Sequence, residues 1–327
     1  MKNILITGGA GFIGSHLVKH FTLKYPNYKI INFDILSYAS DLSRLSTIEN
    51  NKNYNFIKGD INDTNLLNEV FKKFKIDSVI NLAAESHVDN SIKNPNKFAE
   101  TNIMGTLNLL NISNKFWQNS NHNLFYHIST DEVYGELGEK GLFSESTAYN
   151  PKSPYSASKA SSDHLTRAFH HTFKLPIIIS NCSNNYGPDQ HFEKLIPLTI
   201  KKIINNEKIP IYGDGKNIRD WIFVKDHVDA IDKIFHSNML GETFNIGGEN
   251  EINNLDLVTK IIEITDAKLG RNPNSSVNLI SFVEDRKGHD FRYAIDNTKI
   301  NNQLGWYPKT TFMNGLEETV ESYIYKS

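Results

Sequence analysis

Apolar positions in the first 185 residues follow two alternating patterns. Short β-branched or aliphatic runs at residues 2–7, 29–33, 54–58, 78–82, 124–129 and 176–180 read as strands, and the segments between them carry helical spacing. This alternation predicts an α/β fold of the doubly wound, Rossmann-like kind, a parallel sheet with helices on both faces. Beyond residue 185 the order loosens to a helix at 193–205, a strand at 209–212 and helices at 225–235 and 313–325. These predict a smaller, mixed α/β lobe over the carboxyl edge of the sheet, where ligands bind in such folds. The expected division is a 1–185 cofactor-binding domain and a 186–327 lobe, some of whose elements return to the sheet.

The first strand runs into Gly8-Gly9-Ala10-Gly11-Phe12-Ile13-Gly14, and a helix is predicted from Ser15 with Leu17, Val18 and Phe21 facing inward. The glycines fit two registers, Gly9/Gly11/Gly14 and Gly8/Gly11/Gly14. In either, absent side chains let the backbone approach a pyrophosphate at the helix N-terminus. The second strand ends at Asp34, about 20 residues past the last glycine, where an acid binds a ribose 2′-hydroxyl and repels a 2′-phosphate. NAD is therefore favoured over NADP. The plainer alternative, an ordinary glycine turn and a loop aspartate, leaves the order of strand, turn, helix, strand and acid unexplained.

Two further clusters carry chemistry. Ser129-Thr130-Asp131-Glu132 closes an apolar run with a hydroxyl and two carboxylates, and Tyr155 and Lys159 stand four residues apart, on one face of a helix. A phenol with a pKa of about 10 is a poor base at neutral pH. Positive charge from Lys159 and an oxidised nicotinamide would lower that value and let Tyr155 take a proton from a sugar hydroxyl, with Thr130 sharing the hydrogen bond. Two carboxylates in tandem can divide acid and base roles if their surroundings split their pKa values. The plainer readings are a solvated helix face and a capping Asp-Glu pair.

Composition narrows the setting. With 327 residues, 39% hydrophobic content and a formal charge of −2, nothing suggests disorder or a polyanion, so nucleic acid is not an expected partner. Cys182 is the one cysteine, which fits a reducing, cytoplasmic compartment, and no 18-residue apolar span suggests a membrane. His16/His20 and His170-His171 lack the further ligands of a zinc site, so no metal is expected.

The glycine-rich first turn, Tyr-x-x-x-Lys and the upstream Ser/Thr resemble the extended short-chain dehydrogenase/reductase family. Finer motifs are similar to its nucleotide-sugar 4,6-dehydratases: LAAESHVD from Leu82, STDEVYG from Ser129, NCSNNYGP from Asn181, EKLIP from Glu193, IYGDGKNIRDWIFV from Ile211, TFNIGG from Thr243 and GHDFRYAID from Gly288. The resemblance implies NAD as cofactor, a nucleoside-diphosphate glucose as substrate with dTDP-glucose favoured, and oxidation at C4, loss of water across C5 and C6, and hydride return to C6. It assigns Tyr155 as C4 base, Glu132 as C5 base and Asp131 as the acid on the leaving C6 hydroxyl.

By the same resemblance Asp60 and Ile61 lie at the adenine, Ala83, Ala84, Thr101 and Asn185 along the cofactor, with Asn184 on the substrate. Ser86, Lys194, Leu195, Pro210, Ile211, Tyr212, Arg219, Asn254, Asp285 and His289 match positions that hold the nucleotide diphosphate and sugar. Arg219 is also the physical choice for a diphosphate, since guanidinium binds such oxygens in a fork; its alternative is an ion pair with Asp214 or Asp220. Lys287 replaces a family proline. A homodimer through helices at 96–117 and 155–174 is implied as well. The competing expectations are a nucleotide-hexose 4-epimerase, which needs no Asp-Glu pair, and a noncatalytic NAD sensor.

Overall fold

The computed structural model describes residues 2–118 and 122–325. Seven parallel strands form the main sheet in the order β10-β6-β5-β4-β1-β2-β3. The first six are β1 (Asn3–Thr7), β2 (Lys29–Asp34), β3 (Tyr54–Lys58), β4 (Ser78–Asn81), β5 (Leu124–Thr130) and β6 (Ile177–Cys182). Interposed are α1 (Phe12–Lys24), α2 (Thr64–Phe74), α3 (Val88–Lys93), α4 (Pro95–Phe98), α5 (Thr106–Phe116) and α6 (Pro154–Phe173).

Alternation along β1 explains the layering, because successive side chains leave opposite faces of a strand. Ile4 and Ile6 pack with Leu17, Val18 and Phe21 of α1, while Leu5 joins Leu67, Val70 and Phe71 of α2 and Leu109 of α5.

The chain then builds a lobe from β7 (Asn184–Tyr186), α7 (Leu195–Ile204), β8 (Ile209–Tyr212), β9 (Ile218–Phe223), α8 (Val224–Phe235), β10 (Thr243–Ile246), β11 (Glu251–Asn253), α9 (Asn254–Lys268), β12 (Ile280–Val283), α10 (Thr298–Leu304) and α11 (Phe312–Ile324). Its core joins Ile196, Ile200, Trp221, Leu257, Ile261 and Leu316. Two lobe elements serve the first domain: β10 pairs with β6 in register Thr243↔Ile179, and α8 packs Val228, Ile231 and Phe235 into the core beneath α1.

Boundaries moved where backbone chemistry overrode apolar pattern. Gly11, extended at φ −74°, caps α1, so the helix begins at Phe12 and not at Ser15. The region 96–117 is not one α-helix: α4 and α5 are joined by a π-helical stretch, Ala99–Gly105. No helix among the described residues is long and apolar enough to cross a membrane.

Candidate active site

The carboxyl ends of β1, β2, β4, β5 and β6 open into a cleft of about 710 Å³. At its floor the glycine turn chooses between the two registers. Gly8 has φ +69° and a Cβ there would meet Ala83 N at 2.8 Å, while a Cβ on Gly14 would come within 2.1 Å of Gly8 O. Gly8, Gly11, Phe12, Ile13 and Gly14 line the cleft, whereas a Cβ on Gly9 would strike Asn32 on the other side. The working register is therefore Gly8/Gly11/Gly14.

Asp34 is buried at the end of β2 and organises the turn. Its Oδ2 accepts from Ala10 N–H at 2.9 Å, and its Oδ1 accepts from Leu36 N–H and the Ser40 hydroxyl, both at 2.8 Å. Asp60 and Ile61 after β3, Ala83 and Ala84 after β4, and Thr101 in the π-helical stretch line the same cleft, as does Asn185, whose Oδ1 accepts from His227 Nδ1 at 2.8 Å. A floor without side chains, an acid at the second strand and a lining of small residues fit an elongated dinucleotide such as NAD.

The reactive groups converge at the far end. β5 ends at Thr130, whose hydroxyl accepts from Glu132 N–H at 3.3 Å and caps a 3-10 turn, Asp131–Tyr134. Opposite it, α6 starts with Pro154 at its first turn and a reciprocal Ser153/Ser156 capping box, which fixes Tyr155 one residue into the helix. Thr130, Glu132, Tyr155 and Lys159 all face the cleft.

Asp131 is 1% exposed, and its Oδ2 has no hydrogen-bond partner among the described residues. Burial, then the charges of Glu132 and Asp220, hold its pKa well above the ordinary value. Burial also raises Glu132, but Arg219, Lys194 and Arg286 pull it back towards the carboxylate. Both neighbours are raised, but only Glu132 has three cations opposing the rise, so Asp131 is the better placed to hold a proton and Glu132 to give one up.

Lys159 departs from expectation. Its Nζ donates to Ile128 O at 2.8 Å and lies 3.5 Å from His127 Nε2. The Tyr155 phenol is pushed well above its usual value, by burial first and then by Glu132 and Cys182, while the neighbouring Thr130 hydroxyl opposes the rise. The lowering expected from Lys159 and a cationic cofactor together must therefore overcome a protein that by itself favours the neutral phenol.

Of the residues expected at the substrate, Ser86, Thr130, Asn184 and Lys194 line the cleft, and Lys194 Nζ donates to Ser86 O at 3.1 Å. Leu195, at the start of α7, Pro210, Ile211 and Tyr212 on β8, Arg219 on β9, Asn254 opening α9, and Asp285 with His289 lie outside that lining, on the lobe. Asp285 Oδ1 is 2.7 Å from His289 Nδ1. Arg219 makes neither of the ion pairs considered for it: Asp214 pairs with Lys216 at 2.8 Å, and Asp220 accepts from Gly248 and Asn250 N–H. Its guanidinium instead donates to the carbonyls of Ile218, Asp290 and Phe291 and lies 4.4 Å over the Tyr293 ring.

Two features escaped sequence reasoning. Asn102, 1% exposed, accepts from Glu85 N–H at 2.9 Å and donates to Glu85 O at 3.0 Å and to Ser158 Oγ at 2.8 Å, tying the loop after β4 to α6. Arg286 Nε stands 2.6 Å from Asp89 Oδ1, joining the lobe to α3. An asparagine in an asparagine-rich chain gave no signal of the first; the second joins residues nearly 200 positions apart.

A dinucleotide cradle beside a hydroxyl, two carboxylates, a phenol and an ammonium defines an extended short-chain dehydrogenase/reductase. The family described as GDP-mannose 4,6 dehydratase matches residues 5–319. A dTDP-glucose 4,6-dehydratase of Xanthomonas campestris pv. campestris (strain B100) is 47% identical over 330 residues, 99% of this chain and 93% of that protein. The crystal structure of dTDP-glucose 4,6-dehydratase from Bacillus anthracis in complex with NAD aligns with a TM-score of 0.89 at 45% identity, covering 99% of this chain and 97% of that one. The Streptomyces venezuelae enzyme of the same name, with NAD and thymidine diphosphate bound, aligns with a TM-score of 0.91 at 39% identity over the same shares. The chain belongs to the dTDP-glucose 4,6-dehydratase family.

Proposed function

We propose that this protein dehydrates dTDP-glucose to dTDP-4-keto-6-deoxyglucose, with NAD as its resident cofactor. The observation that carries the reading is the unequal surroundings of Asp131 and Glu132 beside Tyr155, since an epimerase of this fold has no use for such a pair. Gly8, Gly11, Gly14 and Asp34 would hold the cofactor, which supplies a hydride acceptor at C4 and a hydride donor at C6. Tyr155, beside Thr130 in the cleft, takes the proton of the C4 hydroxyl. The 4-ketone makes the C5 proton acidic, and Glu132, kept towards the carboxylate by three cationic neighbours, removes it. Asp131, buried and biased to the neutral acid, gives its proton to the departing C6 hydroxyl, so water leaves.

The lobe residues Tyr212, Arg219, Asp285 and His289 are proposed to meet the nucleotide diphosphate when the lobe closes. The 1–185 and 186–327 division supports a cofactor domain and a substrate lobe. Exposed Met104 and Phe173, on the helical faces expected to pair, support a homodimer. A single cysteine supports a cytoplasmic setting.

The test is incubation of purified protein with dTDP-, UDP- and GDP-glucose. A 4-keto product lighter by one water, formed fastest from dTDP-glucose, supports the proposal; a hexose epimer of unchanged mass contradicts it.

A further inference from the structure

Behind the reactive face of α6 lies a buried polar cluster that the proposed chemistry does not use. Asp163 follows Tyr155 and Lys159 at the same four-residue interval, so all three occupy one stripe of the helix. Asp163 and His127 are both 0% exposed and Lys159 is 5% exposed. Asp163 Oδ2 accepts from the hydroxyls of Ser129 and Tyr149, each at 2.9 Å, and Arg167 Nη2 donates to that Tyr149 oxygen at 2.7 Å. Asp163 Oδ1 makes no hydrogen bond among the described residues, yet stands 3.3 Å from His127 Nε2, which is itself 3.5 Å from Lys159 Nζ.

The histidine is neutral: burial, then the Lys159 charge, lowers its pKa to about 4. Its Nδ1 faces Asn81 Nδ2 at 3.2 Å, and Asn81 Oδ1 already accepts from Thr7, so Nδ1 is the acceptor and the proton sits on Nε2. That N–H is donated to Ser162 Oγ at 3.2 Å, and the same ring edge stands close to both the carboxylate and the ammonium. A buried ammonium is costly unless a counter-charge offsets it. Burial lowers the Lys159 pKa, and Asp163 is the leading group that raises it. The other charged or titratable groups on the elements that build this cluster are Tyr155 and Arg167 on the same helix, His127 on β5, Asp131 and Glu132 after β5, Tyr149 in the preceding loop and Cys182 on β6.

We propose that Asp163 is a positioning residue for the reaction: its carboxylate keeps Lys159 protonated across the His127 edge and seats the Thr130–Glu132 turn through Ser129. This rests on the dehydratase reading for its kinetic consequence, and on the cluster alone for its effect on Lys159.

The test pairs pH profiles of kcat with unfolding midpoints over pH 6–10 for wild type and Asp163→Asn. Without the carboxylate Lys159 sheds its proton earlier, so the alkaline limb of kcat moves down by about one pH unit, kcat falls about tenfold, and KM for dTDP-glucose changes less than about twofold. The stability deficit is expected to be largest near neutral pH and to shrink as pH rises, because an ammonium that deprotonates in the fold no longer needs its counter-charge. Asp163→Ser, which leaves room for water, serves the same reading should the asparagine variant not fold. An unmoved limb together with a constant stability deficit would reduce Asp163 to packing and overturn the proposal. Wild type is assayed first: no dehydration there would sink the functional reading, while the unfolding data still decide the link between Asp163 and Lys159.

Discussion

Asp131 and Glu132 are adjacent in sequence and unequally surrounded, which makes their separate variants informative. Asp131→Asn should slow water loss about 10²- to 10⁴-fold while Glu132 still exchanges the C5 proton with deuterated solvent; Glu132→Gln should abolish that exchange. Mass spectrometry of recovered substrate reads both, and exchange surviving in Glu132→Gln would contradict the assignment. The acid limb of kcat should lie above the ordinary glutamate range, since the Glu132 pKa is raised and the carboxylate is the working form. Asp131, raised further, keeps the proton it must donate while Glu132 is already the carboxylate. At Gly14 an alanine Cβ would sit 2.1 Å from Gly8 O, so Gly14→Ala should weaken NAD binding at least about tenfold by calorimetry. The pair, the phenol and the glycines were legible because each is a local pattern. The surroundings of Arg219 were not, because carbonyl acceptors leave no mark in sequence.

Elements hold these residues still. The capping box of α6 sets where the stripe bearing Tyr155, Lys159 and Asp163 begins, and Asn102 locks that helix to the loop after β4. Asn102→Ala would leave Glu85 and Ser158 groups short of partners, so a loss of about 1–3 kcal/mol in denaturant unfolding is expected, with weaker NAD binding by calorimetry as the loop carrying Ala83 and Ala84 loosens. The strands of the main sheet up to β6 were readable from apolar runs. β10 and β9 were not, being short or broken by charged residues that pair only in three dimensions, as Asp220 does with the 248–250 backbone. The π-helical stretch was equally silent, since its period differs from that of an α-helix by too little to show over seven residues.

At the scale of the molecule, two ionic contacts add to the β10 and α8 packing that ties the lobe sequence to the first domain. One is the pair of Asp89 on α3 with Arg286. The other is Asp232 of α8, 3% exposed, which accepts from His20 at 2.7 Å, Lys24 at 2.6 Å and Tyr25 at 2.7 Å on and beside α1. Burial alone would raise the Asp232 pKa, but these donors and His236 overcome it and hold the pKa far below the ordinary range. Its contribution is therefore present above about pH 4 and lost as pH falls through the lowered folded value. Asp232→Asn should cost about 2 kcal/mol at pH 7 by chemical denaturation and progressively less in acid; a deficit independent of pH would contradict the ionic account. Such contacts join residues about 200 positions apart, beyond any local pattern.

The central claim is that one site takes hydride from C4 and returns it to C6 with loss of water between. dTDP-glucose deuterated at C4, given to the purified protein with no added reductant, tests it directly. The account predicts a 4-keto-6-deoxy product carrying the deuterium at C6; a product with the label still at C4, or lost to solvent, would contradict it.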